Sequence, residues 1–129
     1  MGCTYGFIVF DGNHALIAVV TDDEYKIKEE MMFIRPHFNT QSTVQMARQR
    51  AKVRRMNLSR VVQKVAKYFT EEEVILVVLA GLGNMKAFFS EHEEYINLGL
   101  HLVAIIDTGY GGENGLKQAI KLFKELKIE

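Results

Sequence analysis

The sequence predicts an α/β fold: a single domain with a mixed five-stranded β-sheet, a long basic helix, short helices and a C-terminal helix. Three observations predict it. The chain has 129 residues, 48% of them apolar, which is enough to bury one core. Short β-branched runs alternate with segments of helical period, the pattern of strands interleaved with helices. Residues 74–80 and 102–106 are apolar throughout, as strands covered on both faces are. All of residues 1–129 are read as this one domain.

Residues 5–10 form the first predicted strand, ended by the turn Asp11-Gly12-Asn13. A second strand spans 15–21, and Asp22-Asp23 is the next turn. A third spans 25–34, where Tyr25, Ile27 and Glu29 alternate with Lys26, Lys28 and Glu30. Together they predict an antiparallel meander. Residues 35–41 read as a loop, because Pro36 biases Arg35 away from helix and Asn39-Thr40-Gln41-Ser42 has cap chemistry without an apolar period. The exposed polar composition of 36–41 predicts disorder there.

A long helix is expected over about 43–69. Its stripe is Ala47, Ala51, Leu58, Val62, Val65 and Phe69, at spacings of three, four and seven. Arg48, Lys52, Arg60, Lys64 and Lys67 fall outside that arc, so one face is expected on the sheet and the others in water. Residues 74–80 suit a central parallel strand. Gly81-Leu82-Gly83-Asn84 is a loop, and 85–89 a short helix. Ser90 with Glu93 makes a capping box for a second short helix through about Leu98. Residues 100–107 read as another buried strand, Tyr110 to Gly115 as a turn, and 116–126 as an amphipathic helix.

The composition excludes a disordered chain, a collagen-like repeat and a disulfide-stapled mini-protein. No apolar run is long enough to span a bilayer, so no membrane partner is expected. The start, Met1-Gly2-Cys3-Thr4, has neither a basic n-region nor a cleavage site, and no signal peptide is read. Gly2 invites a myristoylation reading, but Tyr5-Gly6 is not its usual continuation, and a cloning scar or an excised domain start is preferred. Cys3 is the single cysteine, which points to a reducing, cytoplasmic setting.

Signals for small-molecule chemistry are weak. Gly81-Leu82-Gly83 follows a strand and opens a helix, but the third glycine of a dinucleotide fingerprint is replaced by Lys86, so a tight βα turn is read. His14, His37, His92 and His101 have no His or Cys partner at ligand spacing, and neither metal nor cofactor is expected. Cys3 has no nearby His, and no Gly-x-Ser-x-Gly elbow exists. Asp11 and Asp107 sit at strand ends, where turn-forming and capping roles explain them. The acidic clusters around Glu71–Glu73 and Glu91–Glu94 read as solubilising surface or as a contact for a basic partner.

Charge is the strongest signal. Lys+Arg and Asp+Glu are both 16, and a net charge of zero argues at first against a nucleic-acid partner. The sum hides a sorting. Residues 1–30 carry six acids and two lysines, and residues 71–129 carry ten acids and five lysines. Residues 31–70 carry no acid and nine cations: Arg35, Arg48, Arg50, Lys52, Arg54, Arg55, Arg60, Lys64 and Lys67. A merely solvated face interleaves both signs. An acid-free block attracts polyanions, and its shortage of aromatics points to phosphate contacts on structured RNA.

Several segments together resemble one family. They are Gly6-Phe7-Ile8-Val9-Phe10-Asp11-Gly12, then Gln41-Ser42 with Ala47-Arg48 and Arg50, then Leu79-Ala80-Gly81 with Lys86, and finally Tyr110-Gly111-Gly112-Glu113-Asn114-Gly115. They resemble the middle domain of the eukaryotic/archaeal class-1 peptide chain release factors, over nearly the whole chain. The resemblance implies a role in translation termination. Such a domain enters the ribosomal peptidyl-transferase centre, where a Gly-Gly-Gln loop promotes attack of water on the peptidyl-tRNA ester. It implies the ribosome with its RNA and peptidyl-tRNA as partners. It also implies a GTPase class-2 release factor, reached through a longer protein with decoding and C-terminal domains. Gln41 matches the catalytic glutamine and His37 the histidine before the loop. Arg35, His37, Ser42, Arg48, Arg50, Lys52, Arg54, Arg55 and Arg60 are the expected RNA contacts.

This chain departs from the family pattern in the loop. Asn39 and Thr40 stand where the family has two glycines, and the loop from His37 to Gln41 is one residue shorter. Glycines permit φ > 0 and close backbone approach to RNA. Asn tolerates that region, and β-branched Thr does so poorly. Three readings follow: a working termination domain with a divergent loop, a paralogue that binds ribosomes without hydrolysis, and a generic RNA-binding module of the same fold.

Overall fold

The computed structural model describes residues 3–22 and 24–128. Its elements are β1 (Thr4–Phe10), β2 (His14–Thr21), β3 (Glu24–Met32), α1 (Thr43–Glu71), β4 (Leu76–Gly81), α2 (Met85–Ser90), α3 (Glu93–Ile96), β5 (His101–Asp107) and α4 (Gly112–Ile128). The strands make one mixed sheet in the order β3-β2-β1-β4-β5. β2 is antiparallel to β1 and β3, and β4 is parallel to β1 and β5. The meander and the central parallel strand are as the sequence predicts. The turn expected at Asp22-Asp23 is described only at Asp22, with φ of 58°. Asp23 and Gly2 lie outside the described residues.

Alternation along the strands divides the core into two layers. Ile8, Phe10, Ile17, Val77 and Leu79 face α1, α2 and α3, where they meet Leu58, Val61, Val65, Phe69, Phe89 and Tyr95. Phe7, Val9, Leu16, Val78 and Ala80 face α4, where they meet Leu116, Ala119, Ile120 and Phe123. Both faces of β1 and β4 are therefore covered, which is why those strands read as unbroken apolar runs. Gly6 and Gly81, both in strands of this frame, admit no side chain. A Cβ on Gly6 would stand 2.2 Å from the Phe69 ring. Gly81 has φ of +131°, and a Cβ there would stand 1.9 Å from the Phe10 carbonyl oxygen. The Gly81-Leu82-Gly83 segment is thus the tight βα turn the sequence predicts, and Lys86 Nζ donates to the Gly83 carbonyl at 2.8 Å.

Four expectations are corrected. β5 is not a buried strand. It lies at the sheet edge with β4 as its only neighbour, and His101, Ile105 and Asp107 are exposed. The predicted capping box is absent: Ser90 ends α2, its hydroxyl donates to the Ala87 carbonyl at 2.7 Å, and α3 starts after His92 and spans only Glu93–Ile96. The segment read as a turn up to Gly115 already contains the first turn of α4, with Gly115 N–H donating to Gly111 O at 3.0 Å. Finally, the stripe of α1 does not pack along its whole length. Its buried residues are Asn57, Leu58, Val61, Val62, Val65 and Phe69, while Ala47 is exposed and Ala51 half-buried.

Candidate nucleic-acid interface

β1, β3, β4 and β5 all point the same way, so their carboxyl ends share one edge of the sheet. α1 follows β3 and therefore begins at that edge and runs back over the sheet. None of residues 43–56 is buried. At 1.5 Å per residue this stretch is about 21 Å long, and its second half, with Ala51, Val53 and Arg54 half-buried, leans on α2 and the loop root. The Arg35 loop, the β1–β2 turn and the Gly81 turn lie at this same end.

The cations of residues 31–70 make no ion pair with a carboxylate, although Glu91, Glu93 and Glu94 line the same groove as Lys52, Arg54, Arg55 and Arg60. Ion pairs among the described residues include His14–Glu30, Lys28–Glu72, Lys86–Asp107 and His92–Glu94. None uses a cation from residues 31–70. Arg35, Arg48, Arg50, Lys52 and Arg55 are exposed, and Arg54 and Arg60 are half-buried. Nine cations without a carboxylate partner make a field that attracts an anionic polymer. Two nearby acids are engaged by other groups. Glu72 is held by Lys28 at 2.5 Å, which keeps its carboxyl below the usual range. Glu94 accepts from the Ser59 hydroxyl and lies 3.0 Å from His92 Nε2, and both hold its carboxyl low.

The loop between β3 and α1 is clamped at its root and open at its tip. Phe33 N–H donates to Asn13 O at 2.7 Å. The Asn57 amide brackets Ile34, accepting from its N–H at 2.9 Å and donating to its carbonyl at 2.8 Å. Arg60 donates to Asn57 Oδ1 and to Met32 O, at 3.2 and 3.3 Å. Sequence reasoning missed Asn57, although it is a polar residue placed beside the stripe where the stripe enters the core. At the far side, the Ser42 hydroxyl caps α1 by accepting from Gln45 N–H at 3.3 Å. Thr40 Oγ1 accepts from Ser42 N–H at 3.1 Å.

Between these anchors lies the tip. Gln49 donates to Asn39 Oδ1 at 3.4 Å, and Arg50 stacks 5.0 Å over the Phe38 ring. These contacts tie to α1 a segment for which the sequence predicts disorder. His37 and Gln41 are exposed and engage no other described residue. Gln41 therefore presents a free backbone N–H and a free side-chain amide immediately before the helix. The structure places His37, Asn39, Thr40, Gln41 and Ser42 together on this tip. Arg48, Arg50, Lys52, Arg54 and Arg55 line the extended half of α1, and Arg60 lies behind them at the loop root.

Two arginines behave differently from the rest. Arg54 lies 4.0 Å over the Phe88 ring of α2, and Arg50 over Phe38, so aromatic faces hold both in place. The gap of seven between Ala51 and Leu58 was the available signal: Arg54 occupies the missing rung on the inward side of the helix.

Comparison with known proteins places this geometry in a family. The family model described as eRF1 domain 2 matches residues 4–129. Eukaryotic peptide chain release factor subunit 1 of Tetrahymena thermophila is 34% identical over 128 residues, covering 94% of this chain and 29% of that protein. Its counterpart in Stylonychia lemnae is 34% identical over 125 residues, covering 92% and 28%. The chain thus spans under a third of the length of these curated relatives. The archaeal translation termination factor aRF1 superposes with a TM-score of 0.64 at 17% identity, over 97% of this chain and 40% of that one. The Thermoplasma acidophilum Pelota protein superposes with a TM-score of 0.63 at 10% identity, over 93% and 32%. Likeness at those identities establishes a shared fold.

Proposed function

The chain belongs to the eRF1 domain 2 family, and from that premise we propose that it acts in translation termination. In this reading it is the middle domain of a peptide chain release factor and enters the ribosomal peptidyl-transferase centre with the tip of α1 leading. Its partners are ribosomal RNA and peptidyl-tRNA in the cytoplasm, and a GTPase class-2 release factor reached through the rest of a longer protein. The observation that carries the reading is the unpaired Gln41 at the mouth of a helix whose cations have no carboxylate partner.

The chemistry follows from the family's loop. Water attacks the ester carbonyl, an oxyanion forms, and the tRNA 3′ oxygen leaves with a proton. A backbone N–H at the Gln41 position can meet that oxyanion, and the free amide can help order the water. The extended cations hold ribosomal phosphates while the clamped loop root fixes the tip's position. The domain promotes the reaction on the ribosome and is not a stand-alone enzyme. Among the described residues, no helix is long and apolar enough to cross a membrane.

Asn39 and Thr40 favour a second reading, a ribosome-binding paralogue without hydrolysis. Each adds a Cβ where the family has glycine, and the Thr40 hydroxyl is engaged with Ser42 N–H. One experiment separates the two. The chain is placed as the middle domain of a full-length class-1 factor and peptide release from ribosomes is measured. Release above a factor-free control is expected, and its absence overturns the first reading. The double change Asn39→Gly with Thr40→Gly then raises the rate, by up to about a hundredfold if the loop sits about 1 Å out of place. If the unaltered domain is silent and the glycine pair switches it on, the paralogue reading holds. RNA affinity without ribosome preference favours a generic RNA-binding module.

A further inference from the structure

The geometry points to a receiving site for one unpaired nucleotide, in the crevice beneath the extended half of α1. The inference rests on the RNA-contact reading above and adds a ligand subsite to it. The crevice has a volume of about 500 Å³ and opens between α1, the loop root and the β1–β2 turn. That volume lies within the usual range for small-ligand sites. Its rim carries Arg35, Arg50 and Arg54, and no acid lines it. Its floor is apolar, with Pro36, Val53 and Met85.

Arg48, Lys52 and Arg55 are exposed on α1 and suit backbone phosphates, while Arg60 is engaged at the loop root. Arg50 and Arg54 instead border the crevice, Arg50 beside the Phe38 ring of the loop and Arg54 beside the Phe88 ring of α2. Arg54 borders this crevice and also the wider groove between α1 and α3, which Phe88 lines. Phe88 backs its guanidinium from the groove side at 4.0 Å, and the side chain meets the crevice on the other. Phe38 orders Arg50 in the same way, at 5.0 Å. Two pre-ordered guanidinium planes above an apolar floor match a flat base, and the same cations with Arg35 match its phosphate. A paired base is sheathed within its duplex and cannot reach the floor. The site therefore favours single-stranded RNA.

The test uses the 129-residue chain, with fluorescence anisotropy against a short unstructured RNA and a blunt RNA duplex of equal length. Arg54→Ala is expected to weaken single-strand binding about tenfold and duplex binding much less. Arg48→Ala, on the outer face, is expected to weaken both alike. Val53→Phe fills the crevice without changing charge and is expected to remove the single-strand preference alone. In a titration with 5′-AMP, the Met85 methyl shifts saturably and the Met56 methyl, in the neighbouring groove, does not. The proposal is overturned if Arg54→Ala and Arg48→Ala act alike on both RNAs, or if Met85 does not respond to 5′-AMP. Displacement of the RNA by poly-glutamate and not by 5′-AMP also overturns it, in favour of an acidic peptide. Peptide release by the full-length factor is read separately. Release that survives Val53→Phe leaves the termination reading standing even if the crevice proves empty of function.

Discussion

Residues 43–56 and 57–71 belong to one unbroken helix and share one apolar arc, yet they do opposite work. In the second half, Leu58, Val61, Val62, Val65 and Phe69 are buried against the sheet. In the first half, Val44 and Ala47 continue the arc with no sheet beneath them and stay exposed. Where the core ends, Arg54 is half-buried against the Phe88 ring, and the exposed Arg50 lies over the Phe38 ring of the loop. The helix is thus a lever with a fixed arm and a free arm. Stability resides in one arm and charge in the other, so each can be changed almost alone.

The largest expected break in this contrast is Phe69→Ala. Phe69 is 1% exposed and its ring fills the space over Gly6. Its loss should cost about 3–5 kcal/mol in chemical denaturation. Arg48→Ala and Lys52→Ala, on the free arm, should each stay within about 0.5 kcal/mol. A pair of similar losses would mean that the free arm packs in solution. Asn57→Ala probes the joint between the arms. It removes two hydrogen bonds to Ile34 and should cost about 1–3 kcal/mol, with faster amide exchange at Ile34. Unchanged exchange there would show that the loop root holds without its clamp.

Tyr95→Phe sharpens the contrast from the packed side. The Tyr95 hydroxyl is buried under the fixed arm with no hydrogen-bond partner. Its removal should stabilise the fold by about 1 kcal/mol at neutral pH. Burial also pushes the Tyr95 phenol up to about 12. The folded state then holds that proton more tightly than the unfolded chain, so stability falls as pH rises from about 10 towards 12. The Phe variant should lose that part of the alkaline decline, as thermal melts across this range will show. The smallest effect concerns salt. Each of Arg48→Ala and Lys52→Ala should lower the slope of log K against log salt for structured RNA by about one phosphate contact, near 0.7–0.9. An unchanged slope would remove those residues from the RNA contact.

Much of this was legible in the sequence because periodicity and charge are local properties. The apolar runs of β1 and β4 announced strands covered on both sides, and the absence of acid from residues 31–70 announced the charged arm. Gln41 and His37 are singled out in the sequence by their match to a family motif, and the fold sets both exposed on the loop before α1. Other features were hidden because they depend on neighbours distant in the chain. β5 is as apolar as β4, and only the strand order makes it an edge. Asn57 carries no local signal of its role, because its partner Ile34 lies 23 residues away in sequence. Ser90 and Glu93 had the spacing of a capping box, but the close of α2 took the Ser90 hydroxyl first.

Spacing and composition alone were enough for the element order, the strand and helix types and the acid-free block, while the family came from matching motifs. Tertiary structure alone decided where the core stops beneath α1. That boundary sets which part of a single apolar stripe is buried, which cations stay exposed, and which border a crevice. A stripe records only the face a helix offers. Burial requires something to pack against, and the end of the sheet decides that.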